Sequence, residues 1–137
     1  MIKGVSHICF VVADLARSTE FFCDKLGLRF AFDFKDADGK VFGAYLHAGE
    51  RTFIELFKGT PSAASDDASF RHICLEVDDI AETARGLKES GIEVSEPELG
   101  SDGSMQAWLK DPEGNPIELH QFLPGSFQAN ALAAKGD

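Results

Sequence analysis

The sequence predicts an α+β fold built from two tandem βαβββ modules that form a cup-shaped mixed sheet. The first observation behind this prediction is a repeat: residues 6–16 and 71–81 share His, Ile, Cys, Val, Asp and Ala at matching places. The second is that Ile54-Glu55-Leu56 recurs as Ile117-Glu118-Leu119, so the repeat runs through both halves. The third is the length of 137 residues with 44% hydrophobic and 26% charged residues, which suits a single globular domain over residues 1–137.

The domain organisation follows from the repeat. Module 1 covers about residues 5–58, and module 2 covers about residues 70–123. Between them, residues 59–69 are rich in Ser, Ala, Asp, Gly and Pro, which is typical of a linker. The tail, residues 124–137, contains no chemical motif, and we expect it to fray or to add a turn of helix at a subunit contact.

Module 1 opens with a run of β-branched and aromatic residues that predicts a strand and ends at Asp14. Asp14 is a typical residue to cap the start of a helix, and Gly27 is a typical residue to end one. The helix between them has one apolar face, made of Leu15, Phe22 and Leu26.

Module 2 repeats this order with its own signals. Asp79 and Glu82 have the spacing of a capping box, and Gly91 ends the predicted helix. Its apolar face is made of Ile80, Ala84 and Leu87. The two helices therefore occupy equivalent places in the two modules.

Three strand-like runs follow each helix, and turn residues separate them. The turns of module 1 are predicted at Asp38-Gly39 and Gly49. Those of module 2 are predicted at Asp102-Gly103 and residues 111–115. A four-stranded sheet covered by one helix leaves its other face free, so we expect the two modules to curl into a cup with chemistry inside.

Composition excludes several classes of function. The net charge of −10, without any basic run, argues against a nucleic-acid partner. The longest apolar stretch, Ile8–Ala13, is too short to span a membrane, and residues 1–20 lack the apolar core of a signal peptide. Three cysteines without a C-x-x-C pair suit reduced thiols, so we expect a cytoplasmic protein: Cys9, Cys23 and Cys74.

Two histidines and two glutamates stand at duplicated positions. Because side chains alternate along a strand, His7 and His72 face away from the apolar residues that pack on the helix, as do Glu55 and Glu118. A single strand histidine or glutamate is usually only hydrogen-bonded or solvated. A solvated face gives no reason to repeat the same residue type in both modules, so the set favours a divalent first-row metal with open coordination positions.

Further side chains are candidates for substrate contact. Alternation places them on the same side as the predicted ligands: Tyr45, His47, Trp108 and His120. The two histidines in this group would equally suit a wet strand end, and the aromatic residues would suit the core. Cys9 and Cys74, two residues from the histidines, are either small apolar packing residues or thiols able to be oxidised or to bind the metal.

Four motifs carry a resemblance to a known family: S-H-I-C-F-V-V-A-D-L, F-I-E-L, R-H-I-C-L-E-V-D-D and D-P-E-G-N-P-I-E-L. The sequence resembles the vicinal oxygen chelate superfamily, which includes glyoxalase I, extradiol dioxygenases, methylmalonyl-CoA epimerase and the fosfomycin and bleomycin resistance proteins. The resemblance covers Ser6 to about Phe122. It implies that the His, Glu, His, Glu ligands of glyoxalase I carry over to His7, Glu55, His72 and Glu118.

The resemblance also implies a function. We expect one divalent ion (Ni, Zn, Mn, Co or Fe), a homodimer, and a lyase or isomerase acting on a small substrate held through adjacent oxygens. The reaction would pass through an enediolate-type intermediate, with Glu55 or Glu118 moving the proton. Val11 and Gly59 stand where bacterial glyoxalase I has its glutathione-binding arginine and asparagine. This difference argues against lactoylglutathione lyase activity itself, unless residues such as Arg51 or Lys58 replace those anchors.

Two other functions stay open within the resemblance. An extradiol-type Fe(II) dioxygenase would use His7, His72 and Glu118 and would not need Glu55. A metal-free binding protein similar to the bleomycin resistance proteins would need none of the four ligands. The presence of Glu55 favours the lyase or isomerase branch.

Overall fold

The computed structural model describes residues 1–63 and 65–134, and its strands form two four-stranded sheets. The sheets have equivalent strand orders, β1-β4-β3-β2 and β5-β8-β7-β6, which confirms the predicted α+β fold of two βαβββ modules. The strands are β1 (His7–Val12), β2 (Arg29–Lys35), β3 (Val41–Gly49), β4 (Thr52–Lys58), β5 (Ile73–Glu76), β6 (Glu98–Leu99), β7 (Met105–Lys110) and β8 (Pro116–Gln121). The helices are α1 (Leu15–Glu20), α2 (Ile80–Glu89) and α3 (Phe127–Ala134).

Both sheets are mixed and are connected in the same way. The first strand of each module pairs in parallel with the last one, β1 with β4 and β5 with β8. The remaining pairs are antiparallel, and they run through β3 in the first sheet and β7 in the second. The helix between the parallel strands packs on one face of its own sheet, so the other face is left for the site.

The chain divides into two compact units. The first consists of Met1–Ala63 and Asp111–Glu113, and the second of Ala64–Lys110 and Gly114–Asp137. Residues 111–113, predicted as a turn of module 2, thus belong to the first unit, where Oε1 of Glu113 accepts a hydrogen bond of 2.8 Å from the Ala13 N–H. Residue 64 of the predicted linker and residues 135–137 of the predicted tail lie outside the described residues. The exact module boundaries and the cup stay predictions.

Helix α1 begins as predicted but ends differently. Oδ1 of Asp14 accepts a hydrogen bond of 3.0 Å from the Arg17 N–H, so this residue caps the helix. Beyond Glu20 the chain continues as a π-helical turn, Phe21–Lys25, which the sequence pattern did not indicate. Gly27 has a φ of 77°, a conformation that favours glycine and stops the helix.

Helix α2 agrees with the sequence prediction at its cap, its apolar face and its end. Oδ1 of Asp79 accepts a hydrogen bond of 3.0 Å from the Glu82 N–H. Gly91, with a φ of 84°, follows the helix end. The predicted apolar face is buried: Ile80, Ala84 and Leu87.

The tail is helical over the part that is described. Helix α3 is held at its start by the Gln128 side chain, whose Nε2 donates to Oδ2 of Asp102 at 2.6 Å. The Ser104 hydroxyl donates to Oε1 of the same glutamine at 2.8 Å. The hydrogen bond from Gln128 lowers the pKa of the Asp102 carboxyl. Within residues 1–63 and 65–134, no helix combines the length and apolar character needed to cross a membrane.

Replacing Ser18 with alanine is expected to stabilise the protein. Ser18 lies in α1 with 0% exposure, and its hydroxyl has no hydrogen-bond partner among the described residues. Removing a buried, unpaired hydroxyl and gaining helix propensity should raise the free energy of unfolding by about 1 kcal/mol. Urea unfolding followed by circular dichroism measures the change.

Ser90→Ala is the matched control, because the Ser90 hydroxyl donates to the Gly86 carbonyl at 3.1 Å. This substitution should not stabilise the protein. A Ser18→Ala variant less stable than the original chain would show that the hydroxyl has a partner in solution.

Candidate metal centre

The strands that carry the predicted ligands alternate as expected. In β1, Phe10 and Val12 are 6% and 0% exposed and pack on the helix side, whereas His7 and Cys9 lie on the opposite face. In β4, Glu55 stands between Ile54 and Leu56, which are buried. In the second unit, Glu118 of β8 stands between Ile117 and Leu119, and His72 directly precedes β5.

Sheet register brings His7, Glu55 and Tyr45 together in the first unit. Cys9 of β1 and Tyr45 of β3 both stand opposite Glu55 of β4. Nε2 of His7 lies 3.6 Å from Oε1 of Glu55. The Tyr45 hydroxyl is 3.0 Å from Nδ1 of the same histidine, so a hydrogen bond orients the imidazole with Nε2 toward the carboxylate.

The second unit contains the equivalent pair. Nε2 of His72 lies 4.0 Å from Oε2 of Glu118. Trp108 stands opposite Glu118 in the register, as Tyr45 stands opposite Glu55. The Trp108 and His72 rings meet edge to face with centroids 4.8 Å apart. Each predicted histidine thus has its predicted glutamate and one aromatic neighbour.

The two carboxylates differ in their surroundings. Glu118 is 8% exposed, and its Oε1 lies 2.6 Å from Nε2 of His120, which is 9% exposed. The Cys74 thiol donates to the same oxygen at 3.4 Å. Sequence alternation predicted that His120 shares a face with Glu118, but it did not predict this contact.

The thiols beside the carboxylates are held in the protonated form. Partial burial, then the hydrogen bond to Glu118 and its negative charge, raises the pKa of Cys74 to about 12. Burial likewise raises the pKa of Cys9, and the hydrogen bond to Glu55 and its negative charge raise it further. All three cysteines are free, and Cys9 and Cys74 are exposed rather than enclosed as packing residues.

His47 makes local contacts within its hairpin. Its Nε2 lies 3.0 Å from the Glu50 carbonyl, and its Nδ1 lies 3.5 Å from a guanidinium nitrogen of Arg29. Its ring packs edge to face on Phe53 at 5.1 Å. These contacts are typical of a strand end, and a substrate role for His47 stays a prediction.

An aromatic surface lies beside His7 and Glu55 in the first unit. Phe32 and Phe53 both stack on Tyr45 with ring centroids 4.8 Å apart. The ring centroid of Phe57 lies 5.2 Å from that of Phe34 and 5.9 Å from that of Phe42. Phe32 is 46% exposed and Phe42 is 41% exposed, so this surface can bind apolar groups.

An open pocket of about 590 Å³ lies on the other face of the first sheet, where Thr19 of α1, Phe30 of β2 and Ala44 of β3 contribute to its lining. It contains none of the predicted site residues.

The donors suit a divalent cation. A metal bonded to imidazole nitrogen and carboxylate oxygen at about 2.0–2.2 Å holds two such atoms roughly 3.0–3.5 Å apart. The 3.6 Å of His7 and Glu55 and the 4.0 Å of His72 and Glu118 need only small side-chain movements to reach that spacing. Imidazole and carboxylate together match first-row divalent metals.

The chain is similar to known proteins in sequence and in fold. Residues 4–119 match the model of the family described as "Glyoxalase/Bleomycin resistance protein/Dioxygenase superfamily". A "Probable lactoylglutathione lyase" from Synechocystis sp. is 32% identical over 84% of this chain and 92% of its own length. An "Ethylmalonyl-CoA/methylmalonyl-CoA epimerase" from Cereibacter sphaeroides is 30% identical over 88% of this chain and 99% of its own. The crystal structure of SMU.1112c superposes with a TM-score of 0.78 at 26% identity, covering 88% of this chain and 99% of that one.

Proposed function

Because the chain belongs to the glyoxalase/bleomycin resistance protein/dioxygenase superfamily, we propose that it is a metal-dependent lyase or isomerase for a small substrate with adjacent oxygen atoms. The superfamily includes lyases, epimerases and dioxygenases, and it typically binds a divalent metal. Its members act on small molecules and often form dimers. The observation that carries the proposal is the His–Glu pair repeated at equivalent positions of both sheets.

The proposed metal ligands are His7, Glu55, His72 and Glu118, supplied by one chain or by two copies. Neutral imidazole and carboxylate suit Ni, Zn, Mn, Co or Fe in the divalent state. When bound, such an ion acts as a Lewis acid that stabilises negative charge on the adjacent substrate oxygens.

The chain's own chemistry is a proton transfer. Glu55 or Glu118 would take a proton from a substrate carbon and return it to the neighbouring carbon through an enediolate-type intermediate, with no net change in protons. Glu118 is held by His120 and Cys74, whereas Glu55 stands beside His7 and the aromatic surface. Separate Glu→Gln variants would identify which carboxylate moves the proton.

The proposed substrate is small and does not carry glutathione. Val11 and Gly59, which replace the two glutathione anchors of bacterial glyoxalase I, supply no side-chain hydrogen bond or charge. Val11 is 44% exposed, and it presents only apolar surface next to Gly59. Phe32, Tyr45 and Phe53 offer a stacking surface instead, so we expect the substrate to carry an apolar or planar group.

Metal content tests the proposal directly. Protein purified without a tag should contain, or take up on soaking, at least one equivalent of divalent metal per chain. His7→Ala should reduce that content because it removes one of the four proposed ligands. Arg29→Ala, which removes a neighbour of His47 but no ligand, is the control and should keep the full equivalent.

Only trace metal, unrecovered after soaking with each of the five ions, would contradict the proposal. The metal-loaded protein should then be screened against the hemithioacetal of methylglyoxal, formed with glutathione and with smaller thiols. We expect turnover of the glutathione-free compounds.

The stacked aromatic surface favours one other function, a metal-free protein that binds aromatic compounds. In that case Glu55→Ala and Glu118→Ala would leave binding intact, as measured by isothermal titration calorimetry with an aromatic compound. An extradiol-type dioxygenase would instead consume oxygen with catechols when loaded with Fe(II), and it would tolerate Glu55→Gln.

A further inference from the structure

Three metal-ligating side chains converge within the second unit. The Cys74 sulfur, a Glu118 oxygen and a His120 ring nitrogen all lie within 4.8 Å of one another. Glu118 and His120 are 8% and 9% exposed, so both residues are largely removed from solvent. The set needs no residue of the first unit.

This set differs from the proposed four-ligand site in its chemistry. The proposed four-ligand site has two imidazoles and two carboxylates, whereas this set has one thiol, one imidazole and one carboxylate. Thiolate is a soft ligand, and a sulfur, nitrogen and oxygen set with a position left for water is typical of Zn²⁺. Zn–S bonds of about 2.3 Å and Zn–N bonds of about 2.0–2.1 Å require ligand atoms roughly 3.2–3.7 Å apart. The sulfur already lies 3.4 Å from Oε1 of Glu118, whereas the 2.6 Å between this oxygen and Nε2 of His120 must lengthen.

The two oxygens of Glu118 face different neighbours. Oε2 faces His72 at 4.0 Å, and Oε1 faces His120 at 2.6 Å and Cys74 at 3.4 Å. One carboxylate therefore has a different set of potential co-ligands on each side. A cation bound to Oε1 between His120 and Cys74 therefore leaves Oε2 free to face His72.

Module 1 provides an internal comparison. Cys9 stands opposite Glu55 in the β1–β4 register, as Cys74 stands opposite Glu118 in the β5–β8 register. Two residues beyond the glutamate, module 1 has Phe57 where module 2 has His120. Phe57 cannot bind a metal, so among the described residues only the second unit brings three such side chains together.

We propose that Cys74, Glu118 and His120 form a second cation site, which takes a thiophilic divalent ion such as Zn²⁺. Binding releases the thiol proton to solvent, and the cation replaces the hydrogen bonds among the three side chains. The site does not depend on the proposed lyase activity, and Glu118 is the one residue that it shares with the four proposed ligands.

Cobalt provides the test, because Co²⁺ occupies zinc sites and gives a near-ultraviolet charge-transfer band when a thiolate binds it. The double variant His7→Ala/Glu55→Ala removes half of the four-ligand set and leaves the second site complete. Titrating it with Co²⁺ should produce the band up to one equivalent, and adding Zn²⁺ should remove it.

Cys74→Ser in the double-variant background should abolish the band, and His120→Gln should abolish or strongly weaken it. Cys9→Ser, the matched control, should keep it. No band in the double variant, or a band that survives Cys74→Ser, would overturn the second site. Neither result would affect the proposed function, because metal content and turnover of the original chain are measured separately.

A measurement on the original chain covers the case in which a variant fails to fold. Zn²⁺ should slow the reaction of Cys74 with N-ethylmaleimide far more than that of Cys9, as followed by mass spectrometry of peptides. Equal protection of both thiols would contradict a direct Cys74–Zn²⁺ bond.

Discussion

Glu118→Gln is expected to lower kcat/KM for the proton-shift reaction by about 10²–10⁴-fold, because Glu118 is a proposed metal ligand and one of the two candidates for the general acid or base, whose usual contribution has this size. The substitution keeps the size of the side chain and an oxygen able to accept from His120, which lies 2.6 Å from Oε1 in the native protein. It removes the negative charge that the proposed metal and the proton transfer both need. Steady-state kinetics on the metal-loaded protein, normalised to bound metal, measures the effect.

Glu76→Gln is the control for this experiment. Glu76 lies on β5 in the same sheet, is exposed and belongs to neither ligand set. It should retain the activity of the original chain. Equal activity in Glu118→Gln and Glu76→Gln would remove Glu118 from the catalytic machinery.

Phe22→Ala is expected to lower the free energy of unfolding by about 3–5 kcal/mol, the usual effect of removing a buried aromatic ring. Phe22 is 0% exposed and lies at the π-helical turn, where its ring packs on Phe21 at 5.3 Å and on Phe10 at 6.0 Å. The lost ring leaves a cavity between this turn and β1. The midpoint of unfolding in urea should fall accordingly.

The expected loss is a large part of the roughly 5–15 kcal/mol that stabilises a typical domain. Phe127→Ala is the control, because Phe127 in α3 is 69% exposed. Its effect should stay within about 0.5 kcal/mol. A similar effect of both substitutions would contradict the assigned core.

The duplicated fold could be predicted from the sequence because its signals are local and occur twice. Alternation along β1 separates His7 and Cys9 from Phe10, and burial in the structure follows the same division. Asp14 and Asp79 each bond the backbone N–H three residues ahead, as their sequence context predicted. Such features depend on a few neighbouring residues, so they can be recognised without the tertiary structure.

Other features depend on packing and could not be predicted in this way. The π-helical turn at Phe21–Lys25 shifts the helix phase by the insertion of one residue, and intrinsic helix propensity does not signal it. Strand β6, Glu98–Leu99, is only two residues long and directly follows Pro97, which lacks the N–H that a sheet ladder needs.

The atomic contacts of the candidate site could not be predicted from the sequence either. Alternation predicted that Glu118 and His120 share a face, but side-chain rotamers decide that Oε1 meets His120 while Oε2 meets His72. The contact between Cys74 and Glu118 likewise requires the β5–β8 register. The sequence pattern predicted the candidate residues, whereas the pairing of their atoms required the structure.

The most direct test of the proposed metal centre is a crystal structure of the protein loaded with Ni²⁺, with anomalous scattering data collected at the nickel edge. We expect one strong nickel peak bonded to His7, Glu55, His72 and Glu118, whether one chain or two copies supply these ligands. A nickel peak bonded to only one of the two His–Glu pairs, or none near either pair, would contradict it.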